Sequence, residues 1–433
     1  MSKNFKNINI DTLHSLECGN FSSMMVRMKN IYLDNAATTQ MDKDVRRAML
    51  EYGKKHFANP SSIHKEGVFA REEIDSTRDK IADFFDAHSD EIVFTSGGTE
   101  SDNLAIIGVI KAFISNDKNN IKPHIITSVI EHPAVLETCI ELEKNEIARV
   151  TYLPVSESGY VAIDDVKDAL CEDTALVSIM HANNEIGTVQ PIKEITKVVR
   201  DFRKGKNRPY PLMHTDACQS ANYLNIRVPA LGVDLLTANS SKIYGPKGVG
   251  VLFVKRGTPI LPILFGGGQE NGLRAGTENV EGIIGAGEAF HKTKKIRVRE
   301  TDRMFDLREY FLEHIKNTFP DAIINGGGVS GYDNADPNVI PNIVNVSFPG
   351  FSNEEIVLRL DAKGIAVSAK SACKSRNESV SYVVYALGGG HYPEFAVRFS
   401  MGRFTSKKDI DYTIEILREV FNISIKIRLH LLI

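Results

Sequence analysis

Residues 233–248 read VDLLTANSSKIYGPKG, an apolar strand that runs into a lysine and then into a Gly-Pro turn. The strand covers 233–238, and the lysine is Lys242. A lysine pinned at such a strand-to-loop junction can face a site instead of bulk solvent and form a Schiff base with a carbonyl cofactor. A lone lysine beside a turn is more often an ordinary surface residue, so the surrounding residues have to decide between the two.

Strands and helices alternate on both sides of this stretch. Short apolar runs predict strands at 91–95, 124–128, 149–153, 175–181, 212–216, 235–239 and 249–254. Helical spacing of apolar residues predicts helices between them at 101–114, 134–144, 192–204 and 220–225. Continuous apolar strands that alternate with helices are typical of a parallel sheet covered on both faces. The sequence therefore predicts an α/β fold whose mostly parallel, seven-stranded sheet is covered by helices.

The pattern changes after about residue 290. A long charged helix at 293–318 leads into strands near 323, at 343–348 and at 396–400, which predicts a smaller α+β domain. We expect four segments: an extension with little structure at 1–27, a stretch joining the small domain at 28–42, the large domain at 43–290 and the small C-terminal domain at 291–433.

Composition and charge limit the class of protein. A chain of 433 residues is long enough for two domains, and 42% apolar with 25% charged residues is ordinary for a globular protein. The net charge of −3 gives no reason to expect nucleic acid as a direct partner. No apolar stretch approaches the ~20 residues that span a bilayer, so no membrane partner is expected. The five cysteines are scattered without CxxC spacing, which indicates a reducing, cytoplasmic location.

A glycine-rich turn at 96–102, SGGTESD, follows the first predicted strand and opens a helix. Gly98 lets the backbone approach an anion, and Thr99 is a suitable N-cap with Asp102 resembling its capping-box partner. The free amides and the positive dipole end of a helix N-terminus can bind a phosphate group. An ordinary strand-to-helix turn is the alternative.

Two further strand ends carry candidate ligand groups. His132 precedes a proline that suits the first turn of a helix, where an imidazole can stack on a flat ring or move protons. Asn184 lies in HANNEIGT at 181–188 and can aim an amide at a ligand oxygen. Taken alone, His132 is an ordinary polar residue at a helix entrance, and consecutive asparagines after a strand usually form a turn.

Asp216 ends the strand at 212–216, and Gln219 follows about one turn later. A carboxylate in this position can keep a pyridine nitrogen protonated and make the ring an electron sink, with a helix cap as the competing interpretation. Asp216 precedes Lys242 by 26 residues, which is enough for one helix and one strand. The Asp216 and Lys242 side chains can therefore lie at the same carboxyl edge of the sheet. A phosphate cradle, a ring-facing histidine, and strand-end Asn, Asp and Lys are together what a pyridoxal phosphate site requires.

Three later segments carry reactive or charged side chains. The loop at 266–277 is rich in glycine and contains Arg274 and Thr277, a mixture that favours a binding loop over a flexible connector. Cys373 is flanked by small residues and cations in SACKSR, which favours an exposed thiolate over a small half-buried residue. Arg398 lies inside an apolar strand and must meet a carboxylate, supplied either by the protein or by a substrate.

These segments, in this order from about Asn30 to about Asp411, resemble the cysteine desulfurases of the NifS/IscS kind. Those enzymes form part of the class V aminotransferase family, with the fold type I of pyridoxal 5'-phosphate (PLP) enzymes. The resemblance implies conversion of L-cysteine to L-alanine with a persulfide on Cys373, and a sulfur-acceptor protein that then receives the sulfur. It further implies a homodimer that supplies sulfur for iron-sulfur cluster assembly, tRNA thiolation or both.

The resemblance also implies a role for each site residue. Lys242 would be the Schiff-base lysine, His132 would stack on the ring and take part in proton transfer, and Asp216 would pair with the pyridine nitrogen. The phosphate would be contacted by Gly98, Thr99, Gln219, Asn239 and Ser241, and from the other subunit by Thr277. Asn184 would contact the 3′-oxygen, and Arg398 would hold the substrate carboxylate with Asn35 and Asn184 nearby.

The sequence departs from the family pattern at several positions. Ser241 stands where the family usually has histidine, and Asn239 stands where many members have serine, but both side chains can still donate to a phosphate. Gln269 and Asn271 replace the usual His and Arg, and the cysteine segment reads CKSRNES instead of the commoner CASGS.

Three alternatives stay open at this point. Selenocysteine lyase or another class V aminotransferase-like activity would use the same cofactor. A non-catalytic sulfur-relay or assembly protein could keep the fold, although Lys242, Asp216 and Cys373 argue against it. Lys247 is the other candidate for the Schiff base, but its position after the Gly-Pro turn predicts that it points outward.

Overall fold

The computed structural model describes residues 30–117, 120–204, 209–327, 338–369, 380–390 and 392–431. Its strands are β1 Ile31–Tyr32, β2 Ile92–Thr95, β3 His124–Ser128, β4 Arg149–Leu153, β5 Thr174–Ser178, β6 Leu212–Asp216, β7 Leu235–Asn239, β8 Gly250–Val254, β9 Ile323–Ile324, β10 Ile343–Ser347, β11 Ile365–Ala366 and β12 Ala396–Ser400. Its helices are α1 Lys43–Gly53, α2 Lys65–Phe85, α3 Gly98–Asn116, α4 Pro133–Lys144, α5 Ile163–Ala169, α6 Ile192–Lys204, α7 Val228–Leu231, α8 Val280–Thr318, α9 Asn353–Asp361, α10 Tyr382–Ala386 and α11 Lys407–Leu431.

The central sheet has seven strands in the order β2-β8-β7-β6-β5-β3-β4. Neighbouring strands from β4 through β3, β5 and β6 to β7 are parallel, whereas β8 runs antiparallel to both β7 and β2. The predicted α/β fold with a mostly parallel, seven-stranded sheet is therefore confirmed. The carboxyl ends of β2, β3, β5, β6 and β7 all lie at one edge of this sheet, because these strands run in the same direction.

Both faces of the sheet are covered by helices, and successive strand residues point to opposite faces. Leu176, Leu212 and Leu235 pack in one apolar cluster, which also contains side chains of α3 and α4. Their immediate neighbours, such as Met213 and Leu236, pack in the other cluster with side chains of α2, α6 and α8. This double burial explains why strands such as β5, TALVS, and β8, GVLFV, carry consecutive apolar residues instead of alternating apolar and polar ones.

The rest of the described chain forms two smaller sheets. Strands β9, β10 and β12 make an antiparallel sheet in the order β12-β10-β9, and β1 pairs with β11 in parallel. An isolated parallel bridge between Asp34 and Ser400 joins the segment after β1 to the end of β12. The N-terminal segment is thus hydrogen-bonded to the C-terminal part of the chain, while the domain boundaries stay predictions.

Two of the predicted helices differ from the structure. Helix α8 begins at Val280 instead of residue 293, although its first turns contain glycines that disfavour helices. These glycines allow close packing, because a Cβ at Gly285 would lie 2.6 Å from Met49 Sδ and one at Gly287 would lie 2.5 Å from Thr77 Cγ2. The predicted helix at 220–225 is wrong: these residues form turns in which the Ser220 carbonyl accepts from successive amides.

Among the residues that the structure describes, no helix is both long enough and apolar enough to cross a membrane.

Candidate active site

A cavity of about 220 Å³ lies at the carboxyl edge of the central sheet. This is the edge at which ligand sites of α/β proteins form. Ten of the predicted site residues line it: Gly98, Thr99, His132, Asn184, Asp216, Gln219, Asn239, Ser241, Lys242 and Arg398. Nine of them lie at or after the carboxyl ends of β2, β3, β5, β6 and β7, which end together at this edge, whereas Arg398 comes from β12 of the smaller antiparallel sheet.

Lys242 lies on a short 3-10 turn, Ser240–Lys242, that directly follows β7. The Asn239 side chain caps this turn, with its Oδ1 accepting from the Ser241 amide at 3.1 Å. Lys242 Nζ donates to the main-chain oxygens of Ala36 and Ala37 at 2.8 and 2.6 Å. The amine is therefore held at the cavity by the N-terminal segment, whereas Lys247 is exposed, in agreement with the predicted outward position.

Asp216 ends β6 and lines the cavity with 7% of its surface exposed. Its Oδ1 accepts a hydrogen bond from the Cys218 amide at 2.9 Å, so the carboxylate also caps the turn that follows the strand. The two interpretations weighed for Asp216, a ligand group and a cap, are compatible in this geometry.

Asp102 is a buried carboxyl group of the cavity wall that was not among the predicted site residues. Burial, and then the nearby charge of Asp216, raise the pKa of Asp102 well above its usual range, because both disfavour the charged form of this carboxyl group. The imidazole of His214 lies 3.7 Å away, and burial lowers the pKa of His214 to about 4. Burial thus disfavours the charged forms of both Asp102 and His214, which lie close to Asp216.

The start of α3 differs from the predicted capping pattern. Gly97 is the N-cap, so Thr99 lies inside the first turn and does not cap the helix. The Ser96 amide donates to Glu100 at 2.8 Å, and Asp102 points into the interior instead of back to the turn. Helical spacing could have revealed this, because Asp102 shares a face with the buried residues at 105, 106 and 109.

His132 is the N-cap of α4, where its Nδ1 accepts from the Ala134 amide at 3.1 Å. Burial lowers the pKa of His132, and Asp216 partly opposes that shift. The preceding residue, Glu131, is completely buried, and its Oε1 accepts from Ser128 Oγ at 2.6 Å and from the Met180 amide at 2.9 Å. Burial raises the pKa of Glu131 to about 8, which favours the neutral form of this carboxyl group at neutral pH.

The end of the cavity next to α3 offers donors and close backbone approach. A Cβ on Gly98 would lie 2.9 Å from Cys218 Sγ, so this position accommodates only glycine without a shift. Ser241 Oγ donates to Asn239 Oδ1 at 3.1 Å, and Gln219 Nε2 donates to the Ala36 oxygen at 2.9 Å. Together with the α3 amides, these groups suit an anion such as a phosphate.

Arg398 lies in β12 with 2% of its surface exposed. Its Nη2 donates to Asp34 Oδ1 at 2.7 Å, and its Nη1 donates to the main-chain oxygen of Asn184 at 2.9 Å. Of the two carboxylates considered for Arg398, the structure therefore shows the one that the protein supplies. Within the described residues, Arg398 Nε and Asn184 Oδ1 are buried without a hydrogen-bond partner.

Three predicted site residues do not line the cavity. Asn35 is buried beside it, and its Nδ2 donates to the main-chain oxygens of Tyr32 and Ser400. Thr277 is exposed in the glycine-rich loop. Cys373 lies outside the described residues.

The glycine-rich loop is fixed to the body of the protein by two ion pairs. Arg274 Nε lies 2.8 Å from Glu100 Oε1, close to the start of α3. Glu270, whose side chain is 2% exposed, lies 2.7 Å from Arg78 Nη1 and also accepts from the Phe94 amide. Arg274 is thus engaged within the protein, and the loop is anchored near the cavity.

Comparison with known proteins places this geometry in a family. The family model described as "Aminotransferase class-V" matches residues 31–413, and the chain belongs to that family. A relative from Dictyoglomus turgidum, named "Cysteine desulfurase IscS", is 44% identical over 90% of this chain and 94% of its own.

Two solved structures have the same fold. One, described as "NIFS-LIKE PROTEIN", gives a TM-score of 0.81 at 32% identity over 91% of this chain and all of its own. Another, described as "SspA in complex with cysteine", gives a TM-score of 0.71 at 33% identity over 87% of this chain and all of its own.

Proposed function

We propose that this protein is a PLP-dependent cysteine desulfurase that converts L-cysteine to L-alanine and carries the released sulfur as a persulfide on Cys373. The observation that carries the proposal is one cavity lined by the Lys242 amine, the Asp216 carboxylate and the His132 imidazole. The similarity to a protein named cysteine desulfurase and to one solved with cysteine supports the choice of substrate.

The residues of the cavity fit PLP. The Gly98 and Thr99 amides, with the side chains of Ser241 and Gln219, would hold the phosphate at one end, because a helix N-terminus and hydroxyl or amide donors bind anions. Asp216 would hold the pyridine nitrogen, and Asn184, which lines the same cavity, would donate a hydrogen bond from its side-chain Nδ2 to the 3′-oxygen. When bound, PLP supplies an aldehyde for amines and a ring that accepts electrons.

The chain's own groups would divide the remaining work. Lys242 would attach the cofactor and, once the amine of the substrate has displaced it, would accept the Cα proton at Nζ, with His132 as the other acceptor. Arg398 would orient the substrate carboxylate in exchange for part of its contact with Asp34. The Cys373 thiolate would attack the substrate sulfur, so that an S–S bond forms as the C–S bond breaks.

A second copy of this chain would complete the site. Thr277 does not line the cavity of its own chain, and Phe265, which immediately precedes the loop that carries Thr277, is 80% exposed. Phe57 and Ile63 are 97% and 99% exposed in the segment between α1 and α2. Large apolar side chains left open in this way favour a protein–protein contact, and a homodimer would cover them.

Two substitutions test the proposal. Lys242→Ala should abolish the yellow colour of the purified protein, whereas Lys247→Ala, a matched change on the same loop, should keep it. Cys373→Ser should keep the colour but yield no alanine from cysteine in the presence of a reductant. A coloured Lys242→Ala protein would reject the cofactor assignment, and an unchanged rate of alanine formation in Cys373→Ser would reject the nucleophile.

The sulfur acceptor is the remaining partner, either an iron-sulfur scaffold or a tRNA-thiolation enzyme. Mass spectrometry of a disulfide-trapped complex would identify it. Recovery of neither class of acceptor would contradict this part of the proposal.

A further inference from the structure

A group of metal-binding side chains lies at the amino edge of the central sheet, opposite the cavity. His124 is the first residue of β3, and Cys171 and Asp173 immediately precede β5. Because β3 is hydrogen-bonded to both β4 and β5 in parallel, the starts of these three strands lie side by side. The group therefore belongs to a different edge of the sheet from the candidate active site.

The ligand atoms of the three side chains converge. Cys171 Sγ lies 3.2 Å from His124 Nδ1 and 2.9 Å from Asp173 Oδ1, and all three atoms lie within 4.8 Å of one another. His124 is fully buried, whereas Cys171 and Asp173 are partly exposed and open to an ion from solvent.

The state of His124 suits a metal ligand. Its Nε2 lies 2.8 Å from Thr151 Oγ1, and donation of Nε2–H to that hydroxyl leaves a lone pair on Nδ1, which faces Cys171. A ligating histidine typically has its other ring nitrogen held by such an outer hydrogen bond.

We propose that His124, Cys171 and Asp173 bind a divalent cation of the zinc class through Nδ1, Sγ and Oδ1. One thiolate, one imidazole and one carboxylate form a ligand set that zinc accepts, and three protein ligands leave a fourth position for water. On binding, the thiol proton of Cys171 passes to solvent and an S–metal bond replaces the S–H bond. The cation would tie together the starts of β3 and β5.

Arg149 and Thr174 also contact the group. Arg149 Nη2 lies 3.0 Å from Asp173 Oδ2, 3.3 Å from Oδ1 and 3.1 Å from Cys171 Sγ. Its side chain is 48% exposed, so it can turn outward from the sulfur and keep Oδ2 as an outer-shell partner of the carboxylate. Thr174 Oγ1 lies 3.0 Å from His124 Nδ1, and its hydroxyl hydrogen can rotate away when a cation binds there.

Titration of the chelator-treated, full-length protein with Zn²⁺ alone and with Co²⁺ alone tests the proposal. Every protein in this comparison also carries Cys373→Ser, so that the sulfur-accepting cysteine contributes neither cation binding nor a charge-transfer band. We expect one equivalent of cation per chain and a sulfur-to-Co²⁺ charge-transfer band. Cys171→Ser should remove the band and weaken binding at least tenfold, since losing even an outer-shell partner costs about 10–100-fold.

Two further variants keep the test decisive. Asp173→Asn should also weaken binding of both cations, while Cys139→Ala, a change at a buried cysteine of the α4 core, should leave it unchanged. Absence of Zn²⁺ binding would overturn the proposal. So would a Cys171→Ser protein that still binds Co²⁺ with the charge-transfer band. In either case the three side chains would be a hydrogen-bonded group without a metal. This outcome is independent of cofactor colour and of alanine formation, so it does not bear on the proposed function.

Discussion

The buried carboxyl group of Glu131 makes the stability of this protein depend on pH in a predictable direction. The side chain is fully buried, and its Oε1 accepts from Ser128 Oγ and the Met180 amide. Within the described residues its Oε2 has no hydrogen-bond partner. Burial raises the pKa of Glu131 from the ordinary value of 4.5 to about 8, because water no longer solvates the charged form.

The sign and size of the effect follow from proton linkage. Between pH 4.5 and about 8 the folded protein retains a proton on Glu131 that the unfolded chain has released. The free energy of unfolding therefore falls by about 1.4 kcal/mol per pH unit in this window, and by about 5 kcal/mol across it. The stabilisation is fully present below the unfolded pKa and is lost as the pH rises through the folded pKa. Between about pH 6 and about pH 8, the loss from this one group is about 2 kcal/mol.

Glu131→Gln isolates this contribution. The amide oxygen of glutamine can accept the same two hydrogen bonds, but the side chain has no proton to release. Denaturant unfolding of both proteins at a series of pH values, with equal cofactor loading, gives the difference in free energy of unfolding as a function of pH. Relative to wild type, the variant should gain about 2 kcal/mol between about pH 6 and about pH 8. Glu141→Gln, at an exposed glutamate of α4, serves as the matched control. A difference that stays flat with pH, or that slopes in the opposite direction, would refute the reasoning.

Two further substitutions probe the anchoring of the glycine-rich loop and the phosphate end of the cavity. Glu270→Ala should lower the free energy of unfolding by about 3–5 kcal/mol, because it removes the buried carboxylate 2.7 Å from the largely buried Arg78 and leaves only the exposed Asp75, at 4.0 Å, as its ion-pair partner among the described residues. Glu141→Ala removes one partner of the exposed Lys144–Glu141 ion pair and should lower the free energy of unfolding by less than about 1 kcal/mol. Equal losses of stability in Glu270→Ala and Glu141→Ala would contradict this reasoning. Gly98→Ala should raise the dissociation constant for PLP, because the added Cβ would lie 2.9 Å from Cys218 Sγ, and Cys218→Ala should restore part of the affinity. Unchanged cofactor affinity in Gly98→Ala would show that the turn has room for a side chain.

The predictions from sequence succeeded where the information is local. Strands such as β5 and β8 are short runs of mostly apolar residues, so their positions could be read from the chain directly. Asp216 and Lys242 could be placed at one edge because parallel strands separated by crossovers end on the same side. The start of α8 was predicted too late, because the glycines at 282, 285 and 287 disfavour a helix in isolation and are explained only by the helices packed against them.

The sequence by itself determined the class of fold and which side chains reach the carboxyl edge of the sheet, because both follow from the order of apolar runs and from the residues at their ends. Only the tertiary structure decided the partners and the charge states. The two main-chain oxygens that hold Lys242, and the pairing of Arg398 with Asp34, join residues that are more than 200 positions apart. The raised pKa values of Glu131 and Asp102, and the contact of His124 with Cys171, likewise depend on burial and on strand neighbours. Such contacts arise when strands distant in the sequence pack side by side and exclude water, which no local pattern of residues encodes.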